Sequence, residues 1–310
     1  MDAVWPTVSS SGRRLVYMHD ALDRNIWRFP VPRRGTEIRW ESLGDEGGIP
    51  LIALPRWDHM AEYSPDGQRI AFISTSSGTS EVWVCQADGL HPYMTTSLRG
   101  PMAAWPRWSP DGKEIAYAAR EVDNIDIFVV SAQGGPRRPL IKHAAQDTFP
   151  SWSQDGRWIY FSSNRTGRFE VWKTPADGTG SASQVTWNGG YSSRESADGK
   201  YLYYTKPGSG IWRKPTAGGE ESQVLAGPPG EGWNQNWSNW TLHDEGIMAT
   251  DASRPILHFF RAGVEKPVSS REIPRIVWAD GLSLSPDARW LLLTRHEAAG
   301  IEIVLIDNFR

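Results

Sequence analysis

The chain has 310 residues, with 33 basic against 36 acidic side chains, 39% apolar residues and a single cysteine, Cys85. That apolar share supports a buried core and excludes a mostly disordered chain, while a net charge of −3 supplies no positive field to hold nucleic acid or an anionic membrane. One cysteine excludes an internal disulfide framework and any multi-cysteine metal cluster, and it leaves the compartment open. The opening MDAVWPTVSS has neither the basic stretch nor the apolar run of a secretory leader, and no apolar run reaches membrane-spanning length.

In chain order, seven related phrases recur. They are VSSSGRRLVY from Val8, YSPDGQRIAF from Tyr63, WSPDGKEIAY from Trp108, WSQDGRWIYF from Trp152, ESADGKYLYY from Glu195, LHDEGIMA from Leu242 and LSPDARWLLL from Leu284. Their turn glycines or equivalents are Gly12, Gly67, Gly112, Gly156, Gly199, Gly246 and Ala288, spaced 42 to 55 residues apart with a mean of 46. Such a period matches one four-stranded propeller blade, which takes about 40–45 residues in WD-type repeats and about 50 in kelch-type repeats. A helical repeat needs apolar spacing near ~3.6, whereas short β-branched and aromatic runs here alternate with Gly, Pro, Asp and Asn clusters.

Within a unit, the first strand carries an aromatic residue (Tyr63, Trp108, Trp152) before Ser-Pro-Asp-Gly or a near copy turns the chain. Pro presets φ, Asp bonds nearby amides and Gly accepts positive φ, so a tight hairpin follows. The second strand is IAF, IAY or IYF, and the third is marked by Trp27, Trp83, Phe128, Trp172 or Trp212. A second turn such as Ala87-Asp88-Gly89 or Ala176-Asp177-Gly178 precedes a short fourth strand, QVT from Gln184 or QVL from Gln223. The spacing predicts an all-β chain, a seven-bladed β-propeller of four-stranded antiparallel blades, with a six-bladed ring as the alternative. One domain is expected over 1–310, with units of about 1–54, 55–99, 100–144, 145–188, 189–230, 231–275 and 276–310. After Ile301–Ile306 only four residues remain, so the last blade is expected to be incomplete, or to lack a strand that belonged to a longer parent chain.

The unit xxWSPDGxxIAF, followed by an apolar strand and ADG, resembles the WD-like repeat of the TolB propeller family over nearly the whole chain. YFSSNRTGRFEVWKTPADG and the ending IVLIDNFR are similar to propeller regions that follow winged-helix or protein kinase domains in larger bacterial regulators. The resemblance implies a sensor or protein-interaction module. The expectation is a non-catalytic, monomeric domain that binds a protein or a small molecule, with no cofactor, no metal and no direct nucleic-acid or membrane contact.

Candidate chemistry is sparse. The histidines at 19, 59, 91, 143, 243, 258 and 296 show no ligand-pair spacing, and the chain has no GxSxG, no P-loop and no GxGxxG. Asp66, Asp111, Asp155, Asp198 and Asp287 read as turn residues, since paired glycosidase carboxylates must stand within about 5–10 Å and equivalent turns are spread around a ring. The competing class is a propeller lyase or glycan-processing enzyme, with Asp58, His59, His143 and Asp147 meeting at one mouth.

Ligand candidates come from registers where the units differ. Seven residues before the marker stand Trp5, Met60, Trp105 and Phe149, then Ser192, Asn239 and Gly281. If the first strand lines the channel, one half of its mouth is apolar; alternatively these side chains seal neighbouring blades. Two residues further on, the same face is expected to carry Thr7, Glu62, Arg107, Ser151, Arg194, Thr241 and Ser283. Glu62 and Arg107 fall on adjacent units and can pair, whereas Arg194 has no acidic neighbour in the register and is the candidate for an anionic ligand or a partner carboxylate. Trp233 and Trp237, inside GWNQNWSNW, form either an aromatic platform for sugar or peptide or part of the core.

Overall fold

A computed structural model describes residues 3–8, 14–34, 37–39, 42, 47–98, 100, 102–121, 124–206, 208–226, 240–250, 256–261, 267–273 and 281–307. Among these residues, five blades are four-stranded antiparallel sheets, each formed from one stretch of chain. Blade 1 runs Asp58–Tyr63, Arg69–Ser74, Glu81–Gln86 and Tyr93–Met94. Blade 2 runs from Ala103–Trp108 to Arg138–Ile141, blade 3 from Asp147–Trp152 to Ser183–Gln184, and blade 4 from Tyr191–Glu195 to Ser222–Leu225. Blade 5 runs from Trp240–His243 to Ser269–Glu272.

Blade 6 is composite. Its inner strand, Leu282–Leu284, pairs with Leu291–Leu293, which pairs with Trp27–Phe29, and the outer strand Ile49–Ile52 pairs with Ile26–Arg28. The expected seven blades are therefore six, because units one and seven each supply half of one blade. The strands Arg14–Pro30 and Trp290–Asp307 do not turn where the repeat calls for it; they stay paired along both lengths, with one register shift between Asp20 and Leu22. Backbone groups already satisfied by a partner strand gain nothing by turning away, and the pairing covers an edge that each half-blade would leave open. The strands missing from the last unit thus come from 24–52. Beyond the blade, Arg14–Asp20 and Ile301–Asp307 continue as an extension to which Ala3–Val8 adds a third strand.

The repeated turn has one construction. Ser64 Oγ donates to Asp66 Oδ1 at 2.5 Å and accepts from Arg69 N–H at 2.9 Å, while Asp66 Oδ1 accepts from Gln68 N–H and Gly67 takes φ +69°. The same serine–aspartate pair recurs at Ser109/Asp111, Ser153/Asp155, Ser196/Asp198 and Ser285/Asp287. Serine and backbone donors hold the Asp155 and Asp198 carboxyls down at about 2, so these aspartates are structural anions.

Apolar cores fill every junction of the ring among the described residues. Ile26 and Leu292 of blade 6 meet Ile70 and Phe72 of blade 1; Ile73 and Val82 meet Ile115 and Tyr117 of blade 2. Ile127 meets Phe161, Tyr160 meets Leu202 and Tyr204, Ile211 meets Ile247, and Met248 meets Leu291. No helix among the described residues is long and apolar enough to cross a membrane, which says nothing of spanning by strands.

Candidate functional site

The first strand of each blade faces the axis and touches the first strand of a neighbour. In blades 1 to 4 this strand carries a bulge: its pairing slips between His59 and Glu62, Ala104 and Arg107, Thr148 and Ser151, and Tyr191 and Arg194. At the bulge Met60, Trp105, Phe149 and Ser192 adopt φ between +36° and +56°, a region that bulky L-residues rarely occupy. Gly281 holds the same position in blade 6 with φ +100°, and a Cβ there would meet the Met60 backbone at 2.6 Å.

Because a bulge breaks the two-residue alternation, the two candidate registers do not share a face. Met60 packs on the core between blades 1 and 2, and Trp105 on that between blades 2 and 3, its ring 4.0 Å from Phe149. None of the three lines the axial cavity described next. Trp5 sits on Ala3–Val8 in the strand extension, and its side chain lies outside the described residues, as do Trp233, Trp237 and Asn239 entirely.

The cavity, about 700 Å³, opens on the face formed by the Ser-Pro-Asp-Gly turns. Glu62, Arg107, Ser151, Arg194 and Thr241 line it from five inner strands, with Pro65, Pro110 and Pro286 at the turns. The charged residues meet across the axis: Glu62 Oε1 lies 3.6 Å from Arg107 Nη1 and 3.3 Å from Arg194 Nη1. Arg194 thus has an acidic neighbour after all, three blades away, where a reading by adjacent units could not find it. Glu62 Oε2 accepts from Trp108 N–H at 2.9 Å. Burial, assisted by the nearby Arg194 charge and opposed by Glu62, pushes Arg107 down to about 10.

The first-strand tryptophans tie neighbouring blades together. Trp108 Nε1 donates to the Glu62 carbonyl and Trp152 Nε1 to the Arg107 carbonyl, each at 3.1 Å. Glu195, also in the cavity wall, accepts from Tyr160 Oη and Gln154 N–H. Outward from the axis the cavity continues between blades 4 and 5, past Tyr203, Arg213, Phe260 and Arg261. The unit patterns did not point to these residues. The available signal was the degenerate phrase LHDEGIMA, whose two-residue hairpin between His243 and Gly246 replaces the longer turn of the other blades beside this opening.

Three of the four residues of the enzyme alternative are held by groups beside them. Asp58 Oδ2 accepts from Leu54 N–H, Asp147 is gripped by Arg165 Nη2 at 3.0 and 3.1 Å, and His143 Nδ1 accepts from Ala145 N–H. Asp58 and His59 belong to blade 1, whereas Asp147 begins blade 3. Among the described residues, no three His, Cys, Asp or Glu side chains gather as a metal ion would require. Burial pushes the Cys85 thiol up to about 12, which leaves it a poor nucleophile near neutrality.

A family model described as the TolB beta propeller domain matches residues 58–228, more than half of the chain. The Tol-Pal system protein TolB of Bordetella pertussis is 36% identical over 144 residues, 46% of this chain and 33% of that protein. An "uncharacterized peptidase YuxL" from Bacillus subtilis is 33% identical over 88 residues, covering 26% of this chain and 13% of that protein. Among solved structures, TolB from Acinetobacter baumannii superposes with a TM-score of 0.54 at 16% identity, over 95% of this chain and 66% of that one. The matched segments span a third or less of these curated relatives' length.

Proposed function

Starting from a chain that belongs to the TolB β-propeller domain family, we propose that it is a non-catalytic binding module whose protein partner docks on the turn face around the axial cavity. The observation that carries this is the cavity itself: it is axial, open on one face, and floored by the Glu62–Arg107–Arg194 cluster. A partner segment entering from that face meets charged groups and the Trp108 and Trp152 rings, a mixture suited to recognition. The relatives carry the printed name of Tol-Pal system proteins, which supports a protein partner here. The peptidase-named relative shares 13% of its length, too little to carry its activity over. In this reading the module is the sensing or interaction part of a larger bacterial regulatory protein, as the resemblance of YFSSNRTGRFEVWKTPADG implies.

The test is site-specific photocrosslinking in the source cell, with the probe at Ala197 on the turn face or at Ser183 on the outer strand of blade 3. One discrete protein adduct from the Ala197 probe, absent from the Ser183 probe, is expected. Equal labelling from both positions, or no protein adduct from Ala197, would reject the docking face.

A further inference from the structure

We propose that the floor of the axial cavity is a binding site for a single carboxylate group, held between Arg107 and Arg194. Two guanidinium groups share one anion there, since both approach the same Oε1 of Glu62 and its Oε2 is bonded to Trp108 N–H. One positive charge is left over in a pocket walled by protein, where opposite charges attract far more strongly than in open water. Arg194 Nε is buried and has no hydrogen-bond partner among the described residues. Arg107 Nη1 donates to the Pro106 carbonyl, a neutral acceptor, at 3.1 Å.

The remaining charges of the wall lie away from the floor. Glu195 is bonded to Tyr160 and Gln154, Asp198 is built into its turn, the Arg213 guanidinium lies over the Tyr201 ring at 4.6 Å, and Asp244 and Arg261, of opposite charge, are both exposed on blade 5. The single surplus charge at the floor matches a monoanion rather than a dianion, and a carboxylate offers the two coplanar oxygens that a guanidinium fork takes together, as a spherical halide does not. Ser151, on the inner strand of the blade between theirs, also lines the cavity, and its hydroxyl is hydrogen-bonded with that of Ser193 at 3.3 Å. The proposal stands whether or not a protein docks on this face, because a free small acid and a peptide carboxylate present the same group.

Isothermal titration of the full chain at fixed ionic strength tests it, with acetate against its neutral isostere acetamide, and a short peptide acid against its C-terminal amide. Acetate is expected to bind where acetamide does not. A peptide acid that binds more tightly than both acetate and its amide identifies a chain carboxylate as the source, and acetate binding without peptide binding identifies a free acid. Arg194→Gln leaves Glu62 to neutralise Arg107 and is expected to lower acetate affinity at least about tenfold, whereas Glu62→Gln frees both guanidiniums and is expected to raise it by a similar factor. Acetate no tighter than acetamide, an unchanged Arg194→Gln, or a folded Glu62→Gln without gain overturns the proposal. Should Glu62→Gln fail to fold, the acetate-dependent rise in Tm decides: it is expected in the natural chain and absent in Arg194→Gln, and equal rises overturn the assignment.

Discussion

Blades 3 and 6 reach the same four-stranded form by different routes. Blade 3 is laid down by one stretch, 147–184, and each strand pairs with the next in the chain. Blade 6 joins Leu282–Leu293 to Ile26–Ile52, so that Ile26 pairs with Thr294 across nearly the whole sequence. The first is set by local turn chemistry. The second is set by the need to close a ring, and it forms only after the loop-closure entropy of the intervening chain has been overcome.

The largest test removes residues 1–57, which deletes the two outer strands of blade 6 and takes Ile26, Phe29 and Ile52 out of its seams. Loss of the cooperative thermal transition in near-UV circular dichroism is expected, while deleting the outer two-residue strand of blade 3, Ser183–Gln184, leaves a cooperative melt. A truncated chain that still melts as one unit would show that the closing blade is dispensable.

Next in size, Leu292→Ala at the seam of blades 6 and 1 and Leu202→Ala at the seam of blades 3 and 4 each remove a fully buried side chain. Each is expected to cost about 2–5 kcal/mol in urea denaturation. A clearly smaller loss at Leu292 would mean that the closing seam is packed more loosely than the contiguous one.

Asp58 and Asp147 open blades 1 and 3 at equivalent positions, but Asp147 faces Arg165, whereas Asp58 has no ion pair with a cation of its blade among the described residues. Burial, with the Asp23 charge as a smaller cause and the Ser74 and Leu54 hydrogen bonds opposing, pushes Asp58 up to about 7. A carboxyl raised in the folded state favours folding at low pH, fully below its unfolded value near ~3.9, and the benefit disappears as pH rises through about 7. Asp58→Asn is therefore expected to match the natural chain near pH 4 and to exceed its stability near pH 8 by on the order of a few kcal/mol. Denaturation curves at the two pH values check this, and an equal difference at both would assign the effect to packing.

The smallest effect separates the turns. Gly156 sits at φ +71° in blade 3 and Ala288 at φ +50° in blade 6. Gly156→Ala is expected to cost about 1 kcal/mol through left-handed strain, and Ala288→Gly to shift stability by less than that, because relieved strain is offset by the freer unfolded chain. Differential scanning calorimetry of the pair measures both shifts; equal and opposite values would show that strain alone governs the turn.

How far the repeat could be read follows from the same contrast. The hairpins at Gly67, Gly112, Gly156 and Gly199 were visible because Ser, Asp and Gly perform a short-range task that any copy must repeat. Seven copies suggested seven blades, since a phrase such as VSSSGRRLVY carries no mark saying whether its strand will turn or run on beside a distant one. In the cavity, Glu62, Arg107 and Arg194 could be placed on inner strands, but the bulges that turn Met60 and Trp105 toward the blade seams, and Phe149 onto the Trp105 ring, have no signature in residue type, and three bulky side chains at positive φ run against local preference.

The sequence by itself determined the β-class, the four-stranded unit and the chemistry of its turns, because these depend on contacts within a few residues. Only the tertiary structure decided the number of blades, the shared blade that closes the ring and the meeting of Glu62 with Arg194, because each joins groups far apart in the chain whose distance is set by ring geometry.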